Sequence, residues 1–195
     1  MPDAAYGAGI DGSHLPPNRA AGATLEGMAD VIAVHGDLTE QRVDAIVNAA
    51  NNAMRGGGGV DGAIHRAGGP AILRDCIARF PYGLATGDAG WTVSGELPAT
   101  WVIHTVGPNF TAGERDRSLL VSCYRRALAV ADELAVRTIA FPLVSAGVYG
   151  WPLDDAIAVA IDTLMDADTR VEQAAIVARD AAIFNRVEAA LGARR

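Results

Sequence analysis

The sequence predicts a layered α/β domain with helices on both faces of a sheet. Two observations predict it: short apolar runs, mostly β-branched, recur along the chain, and segments of helical period alternate with them. A third agrees. The glycine-rich and polar motifs all follow strand patterns, and sheets of this class gather ligands at the carboxyl ends of their strands.

Strand patterns lie at residues 30–35 (Val31, Ile32, Val34), 43–48 (Val43, Ala45, Ile46, Val47), 89–94, 101–106 (Trp101, Val102, Ile103, Val106), 138–143 (Ile139, Phe141, Leu143) and 172–178 (Ala174, Ile176, Val177). Two short helices are expected early, at 60–67 and 70–80. A longer one at 117–135 puts Leu120, Cys123, Ala127, Val130 and Leu134 on one stripe. Residues 154–166 align Ile157, Ile161, Leu164 and Met165, with Asp154 and Asp155 at the start, where the helix dipole favours acids. A last helix at 182–192 carries Ile183, Val187 and Leu191. Residues 1–27 differ: rich in Gly, Ala, Pro and Asp, without apolar period, they read as a flexible extension before one domain at 28–195. There are no internal repeats.

The bulk numbers restrict the partners. The chain has 195 residues, half of them hydrophobic and a fifth charged, which suits one globular domain with a full core. A net charge of −7 with scattered arginines argues against a nucleic-acid groove, which needs clustered cations. Cys76 and Cys123 form no CxxC and sit in helical patterns, so buried free thiols are expected. The four histidines (His14, His35, His65, His104) show no metal-ligand spacing, so no metal is expected. No apolar run approaches the roughly 18 residues of a membrane span, and no signal pattern opens the chain. A cytoplasmic protein without membrane contact is expected.

Residues 46–65 are the most informative stretch. An apolar strand pattern ends at Asn48 and Asn51; four glycines follow, Gly56 to Gly59; then come Val60 and Asp61 at the start of a helix pattern. Glycines in a row bury no side chain and lose the most entropy on folding, so their use is to let something approach the backbone. Bare amides opening a helix make an anion site. A P-loop would need Gly-Lys-Ser/Thr after the glycines, where this chain has Gly59-Val60-Asp61. The dinucleotide pattern GxGxxG matches at Gly57, Gly59 and Gly62, but in so glycine-rich a run the match carries little, and no acid ends a strand about 20 residues on.

The run Asn48-Ala-Ala-Asn51, Gly56 to Gly59, Val60 and Asp61 resembles the phosphate loop of MacroD-type macrodomains, a family that binds ADP-ribose and includes many hydrolases. The resemblance spans about residues 28–192 and includes three further motifs. It implies the three-layer macrodomain fold, with a mixed, mostly parallel sheet between helices. Asp37, after the first strand, would receive the adenine amino group, with amides near Leu38 serving a ring nitrogen; a turn or helix cap is the commonplace use of such an aspartate. Gly56, Gly57, Gly58, Gly59 and Val60 would cradle the diphosphate. Ser145, Ala146, Gly147 and Val148 would form a second phosphate loop, with Tyr149 packed over the distal ribose. Position 146 is Ala where such relatives often carry Thr, which removes one hydroxyl contact. Phe184, in the segment after the last strand, either stacks on adenine or packs beneath the last helix.

The resemblance also implies an activity. Asn48 and Asn51 would hold the distal ribose, and water near Asp61 would attack. Whether Asp61 abstracts a proton or only orients the water is open. At a helix start it favours its charged form, which makes a weak base. The expected reaction is hydrolysis of the ester at the distal ribose, in proteins mono-ADP-ribosylated on Asp or Glu or in O-acetyl-ADP-ribose, with no cofactor and by a monomer. The alternative is an ADP-ribose reader without turnover, since fold does not establish catalysis. A regulatory partner of a nucleic-acid enzyme finds nothing in the composition. A hydrolase acting on ADP-ribosylated DNA bases would use a lysine, absent from every loop named. His65, a helical turn beyond Asp61, and His104, inside a strand pattern, read as hydrogen-bonded structural residues.

Overall fold

A computed structural model of the chain describes residues 27–195. The expected extension at 1–27 lies, but for Gly27, outside the described residues. Six strands alternate with five helices: β1 (Asp30–His35), β2 (Ala45–Ala50), α1 (Gly59–Gly68), α2 (Pro70–Arg79), β3 (Ala89–Val93), β4 (Trp101–Val106), α3 (Arg117–Glu133), β5 (Thr138–Phe141), α4 (Leu153–Met165), β6 (Gln173–Ala178) and α5 (Ala181–Gly192). Each strand and helix expected from the sequence is present. Two single 3₁₀ turns, Leu38–Glu40 and Phe110–Ala112, are additional; both are too short to leave a period and are capped by Asp37 and Asn109.

The strands form one sheet in the order β1-β6-β5-β2-β4-β3. Five run parallel, and β3 alone is antiparallel, on the edge beside β4. Parallel sheets bury both faces, which is why the strands read as near-continuous apolar runs. On one face Val47, Ile103, Ile139 and Ile176 pack with α3, α4 and α5. On the other, Ile46, Val102, Ala140 and Val177 pack with Ile64 and Ile72 of α1 and α2. Cys76 and Cys123 are buried and free, as expected. Among the described residues no helix is long and apolar enough to cross a membrane.

Two features of the sheet shape what lies at its carboxyl end. β2 pairs with β4 over six positions but with β5 over only two, Ala45 with Ile139 and Ile46 with Ala140. Beyond those rungs the strands part, leaving a crevice between the end of β2 and the end of β5. At the opposite end Asp44 holds the two together. Its carboxylate accepts the amides of Arg137 and Thr138 at 2.9 Å each, its own amide donates to the Thr138 hydroxyl at 2.9 Å, and its carbonyl accepts the amides of Thr100 and Trp101.

A buried tyrosine secures the chain as it leaves β5. Tyr124 of α3 is fully buried, and its hydroxyl accepts the amide of Val144 at 3.1 Å. Burial pushes its phenol pKa up, so the hydroxyl stays neutral. Tyr124→Phe leaves that buried N–H without an acceptor. The expected cost is about 2 kcal/mol, read as a fall in the urea midpoint with unchanged slope.

Candidate functional site

The crevice between β2 and β5 deepens into a cleft of about 270 Å³. One wall follows β2 and comprises Ala49, Ala50, Asn51, Gly58, Gly59, Val60 and Asp61; the other follows β5 and comprises Pro142, Leu143, Ser145, Gly147, Val148 and Tyr149. This is the place where an open parallel sheet binds ligands, at the point where strand order reverses. A larger hollow of about 600 Å³ lies at the amino ends of β5 and β6, around Arg137 and Arg170. There Arg137 pairs with Glu172 and Arg170 donates to the Asp132 carbonyl, and the hollow has neither glycine loop.

The first loop is built from its own polar groups. Asn51 Oδ1 accepts the Ala53 amide at 3.1 Å, and Asn51 Nδ2 donates to the Gly56 carbonyl at 2.9 Å. The side chain thus folds the loop as well as lining the cleft. Arg55 donates to the carbonyls of Ala53, Met54, Phe80 and Pro81, tying the loop to the end of α2. Gly56 and Gly59 have positive φ (81° and 57°), and a Cβ on Gly57 would lie 2.9 Å from Asp61 Oδ2 and 3.0 Å from Asn51 Nδ2. Part of the glycine run is therefore explained by the protein's own side chains. Around Gly58 there is open space.

Asp61 is not the helix cap. Gly58 occupies that position without a side-chain bond, and Asp61 stands in the first turn of α1, 4% exposed. Its Oδ1 accepts Asn48 Nδ2 at 2.7 Å, and His65 Nε2 lies 3.4 Å away. Asn48 is fully buried, and its Oδ1 has no partner among the described residues. Its Nδ2 also lies 3.0 Å from His104 Nδ1. His104 is buried, and burial, reinforced by His65, pushes its pKa down to about 3, so the ring is neutral at physiological pH.

The second loop is strained. Ser145 adopts φ 63°, unusual for a residue with a side chain, and its carbonyl accepts the Trp151 amide at 3.0 Å. Its buried hydroxyl has no partner among the described residues. Val148 is largely exposed and leans toward the first loop; a Cβ on Gly59 would sit 3.7 Å from its methyl. Tyr149 is half-buried, and burial, with Glu114 and Asp61 nearby, raises its pKa. Ala146 packs against the core, and its amide donates to the Leu143 carbonyl at 3.3 Å.

Asp37, Leu38 and Phe184 lie apart from this cleft, at the ends of β1 and β6. Asp37 caps the first 3₁₀ turn: its Oδ1 accepts the Thr39 amide at 2.9 Å and hydroxyl at 2.7 Å. Its Oδ2 faces Arg179 at 3.7 Å. Partial burial opposes ionisation, but the Thr39 bonds and Arg179 outweigh it and hold the carboxyl below its ordinary range. The Leu38 side chain is in the core, leaving only its backbone to meet a ligand. Phe184, half-buried on the first turn of α5, lies 5.6 Å from the His35 ring. Sequence reasoning missed the contact of His104 with Asn48. Its signal is a histidine within an apolar strand, and only strand pairing places it opposite Asn48.

Known proteins share this arrangement. A profile of the Macro domain family matches residues 47–160. A Macro domain-containing protein of Streptomyces coelicolor is 51% identical over 169 residues, 85% of this chain and all of that protein. O-acetyl-ADP-ribose deacetylase 1 of Pantoea vagans is 45% identical over 140 residues, 70% of this chain and 82% of that one. Among solved structures, the Oceanobacillus iheyensis macrodomain with ADP superposes with a TM-score of 0.78 at 34% identity, covering 83% of this chain and 90% of that one. The Trypanosoma brucei macrodomain in complex with ADP-ribose superposes with a TM-score of 0.76 at 38% identity, over 83% and 69%. With its three layers, its mixed, mostly parallel sheet and its two glycine-bearing loops facing across the β2–β5 crevice, this chain belongs to the Macro domain family.

Proposed function

We propose that the cleft binds ADP-ribose and hydrolyses the ester joining its distal ribose to an acyl group. The acyl group is the Asp or Glu side chain of a mono-ADP-ribosylated protein, or acetate in O-acetyl-ADP-ribose. The observation that carries the reading is the buried Asn48–Asp61 hydrogen bond at 2.7 Å, beside two loops of bare amides. A carboxylate held that way is fixed in place next to a cleft that admits water. The relatives support the ligand: one solved macrodomain holds ADP-ribose, and one relative is named a deacetylase of its acetyl ester.

In this reading the amides of Gly58 to Val60 and of Ser145, Gly147 and Val148 take the diphosphate, as exposed N–H groups take anions. Asn51 and Tyr149 hold the distal ribose, and Asn48, buried behind them, holds Asp61. Asp61 orients the water. The water supplies a hydroxyl to one fragment and a proton to the other, and the ester C–O bond breaks. Free ADP-ribose and the carboxylic acid result, so no metal or redox cofactor takes part in the balance. Asp37 takes the adenine amino group on Oδ2, the oxygen that the 3₁₀ cap leaves available.

Release of ADP-ribose from a protein mono-ADP-ribosylated on glutamate tests the reading. Wild type is expected to release it, and Asp61→Ala to be slower by about a hundredfold or more while ADP-ribose binding persists. No release by wild type, with tight binding retained, would make the chain a reader without turnover. Asp37→Asn isolates the adenine contact. The amide oxygen still caps the 3₁₀ turn, but the second position becomes a donor facing a donor. ADP-ribose affinity by calorimetry should fall about tenfold with little change in thermal stability; an unchanged affinity would remove Asp37 from the site.

A further inference from the structure

Behind the cleft wall a buried file of polar side chains runs from Asn48 back to His104 and Thr92, the last two with no part in the proposed reaction. Asn48 and His104 stand opposite each other across β2 and β4, and Thr92 lies on β3, the strand beyond. Asn48 Nδ2 is 2.7 Å from Asp61 Oδ1 and 3.0 Å from His104 Nδ1. His104 Nε2 is 2.8 Å from Thr92 Oγ1, which lies 3.1 Å from the Val93 carbonyl. All three side chains are excluded from solvent.

One proton arrangement satisfies every link. A carboxylate oxygen accepts, so the Asn48 amide must turn its NH₂ toward Asp61. The second N–H of the same nitrogen then points at His104 Nδ1, which must be bare. His104 carries its proton on Nε2 and gives it to the Thr92 hydroxyl, which donates in turn to the Val93 carbonyl. Cys76 Sγ, 3.8 Å from Nε2, is the other neighbour on that side; burial pushes its pKa up to about 11, so it remains a neutral thiol. The opposite tautomer would set two N–H groups against each other at the Asn48 contact.

We propose that His104, fixed by Thr92 with its proton on Nε2, is a positioning residue that locks the Asn48 amide, keeping Nδ2 on Asp61 and so holding the Asp61 carboxylate in place at the cleft. The proposal rests on the cleft being an ADP-ribose site. Asn48 Oδ1 is buried, without a partner among the described residues, and off the lining of the cleft, so the amide acts on the site through Nδ2 and Asp61. An Asp61 carboxylate released from Asn48 would turn its charge on the neighbouring diphosphate loop, so losing the lock weakens binding where removing the carboxylate does not. His104 itself never touches the ligand.

Two readouts on the full chain decide it: ¹⁵N spectra, which report the ring nitrogen that carries the proton, and ADP-ribose affinity by calorimetry. Wild-type His104 should be a single Nε2–H tautomer. Thr92→Val removes the acceptor from Nε2 and should mix the tautomers and weaken ADP-ribose binding about tenfold. His104→Leu should weaken binding by a similar factor. His104→Asn, which returns an oxygen close to the place of Nδ1, should recover part of it. Should His104→Leu not fold, Thr92→Val carries the test. A wild-type proton on Nδ1, or a Thr92→Val variant in which either readout is unchanged, overturns the proposal. Absence of hydrolysis by wild type would overturn the hydrolase reading and leave both readouts valid. Absence of ADP-ribose binding by wild type would overturn the site and this proposal together.

Discussion

The rest of the structure depends on how little β2 and β5 are paired. Two rungs of ladder join them where β2 and β4 share six. A fully zipped pair would carry both chains to the sheet's edge side by side and leave no room between the loops that follow. Because the strands part early, backbone groups that would have bonded across the sheet face a cleft instead. Such groups need partners. The loops meet that demand locally through Asn51 and Arg55 on one side and the turn around Ser145 and Trp151 on the other. Amides at the start of α1 remain exposed to the cleft, the setting in which helix-start N–H groups suit an anion.

Asp61 shows how fold and site are joined. Helix α1 begins without a side-chain cap because Gly58 holds the capping position. The first acid of the helix turns inward, where Asn48 takes it, and Gly57 passes over it so closely that no side chain fits there. One constraint thus fixes three things: the glycine in the loop, the carboxylate at the cleft, and the amide of a strand residue behind it.

Much of this was legible in sequence, for identifiable reasons. Strands such as Trp101–Val106 are continuous apolar runs because both faces of a parallel sheet are covered, and the α3 stripe from Leu120 to Val130 is buried as its spacing implied. The first loop around the cleft is legible through its run of glycines, and the second through the family resemblance alone. Strand order was not, since periodicity carries no information on neighbours, and so the contact of His104 with Asn48 went unseen. Asp37 combined both readings: the cap is present, and it occupies only one carboxylate oxygen. The glycine run was read as room for a ligand alone, whereas Gly57 also makes room for Asp61 and Asn51.

Asp44 gives the molecule a fixed spine. It ties the amino end of β5 to the start of β2 and takes the amides that lead into β4, all at the end of the sheet away from the cleft. Among the described residues the mouth has no such staple, only the approach of Val148 to Gly59. Any widening of the cleft would hinge about that stapled base, with the larger travel at the two glycine-bearing lips and the smaller beside Asn48. A bulky ligand would be met at the lips, while the buried polar file at the root keeps its geometry.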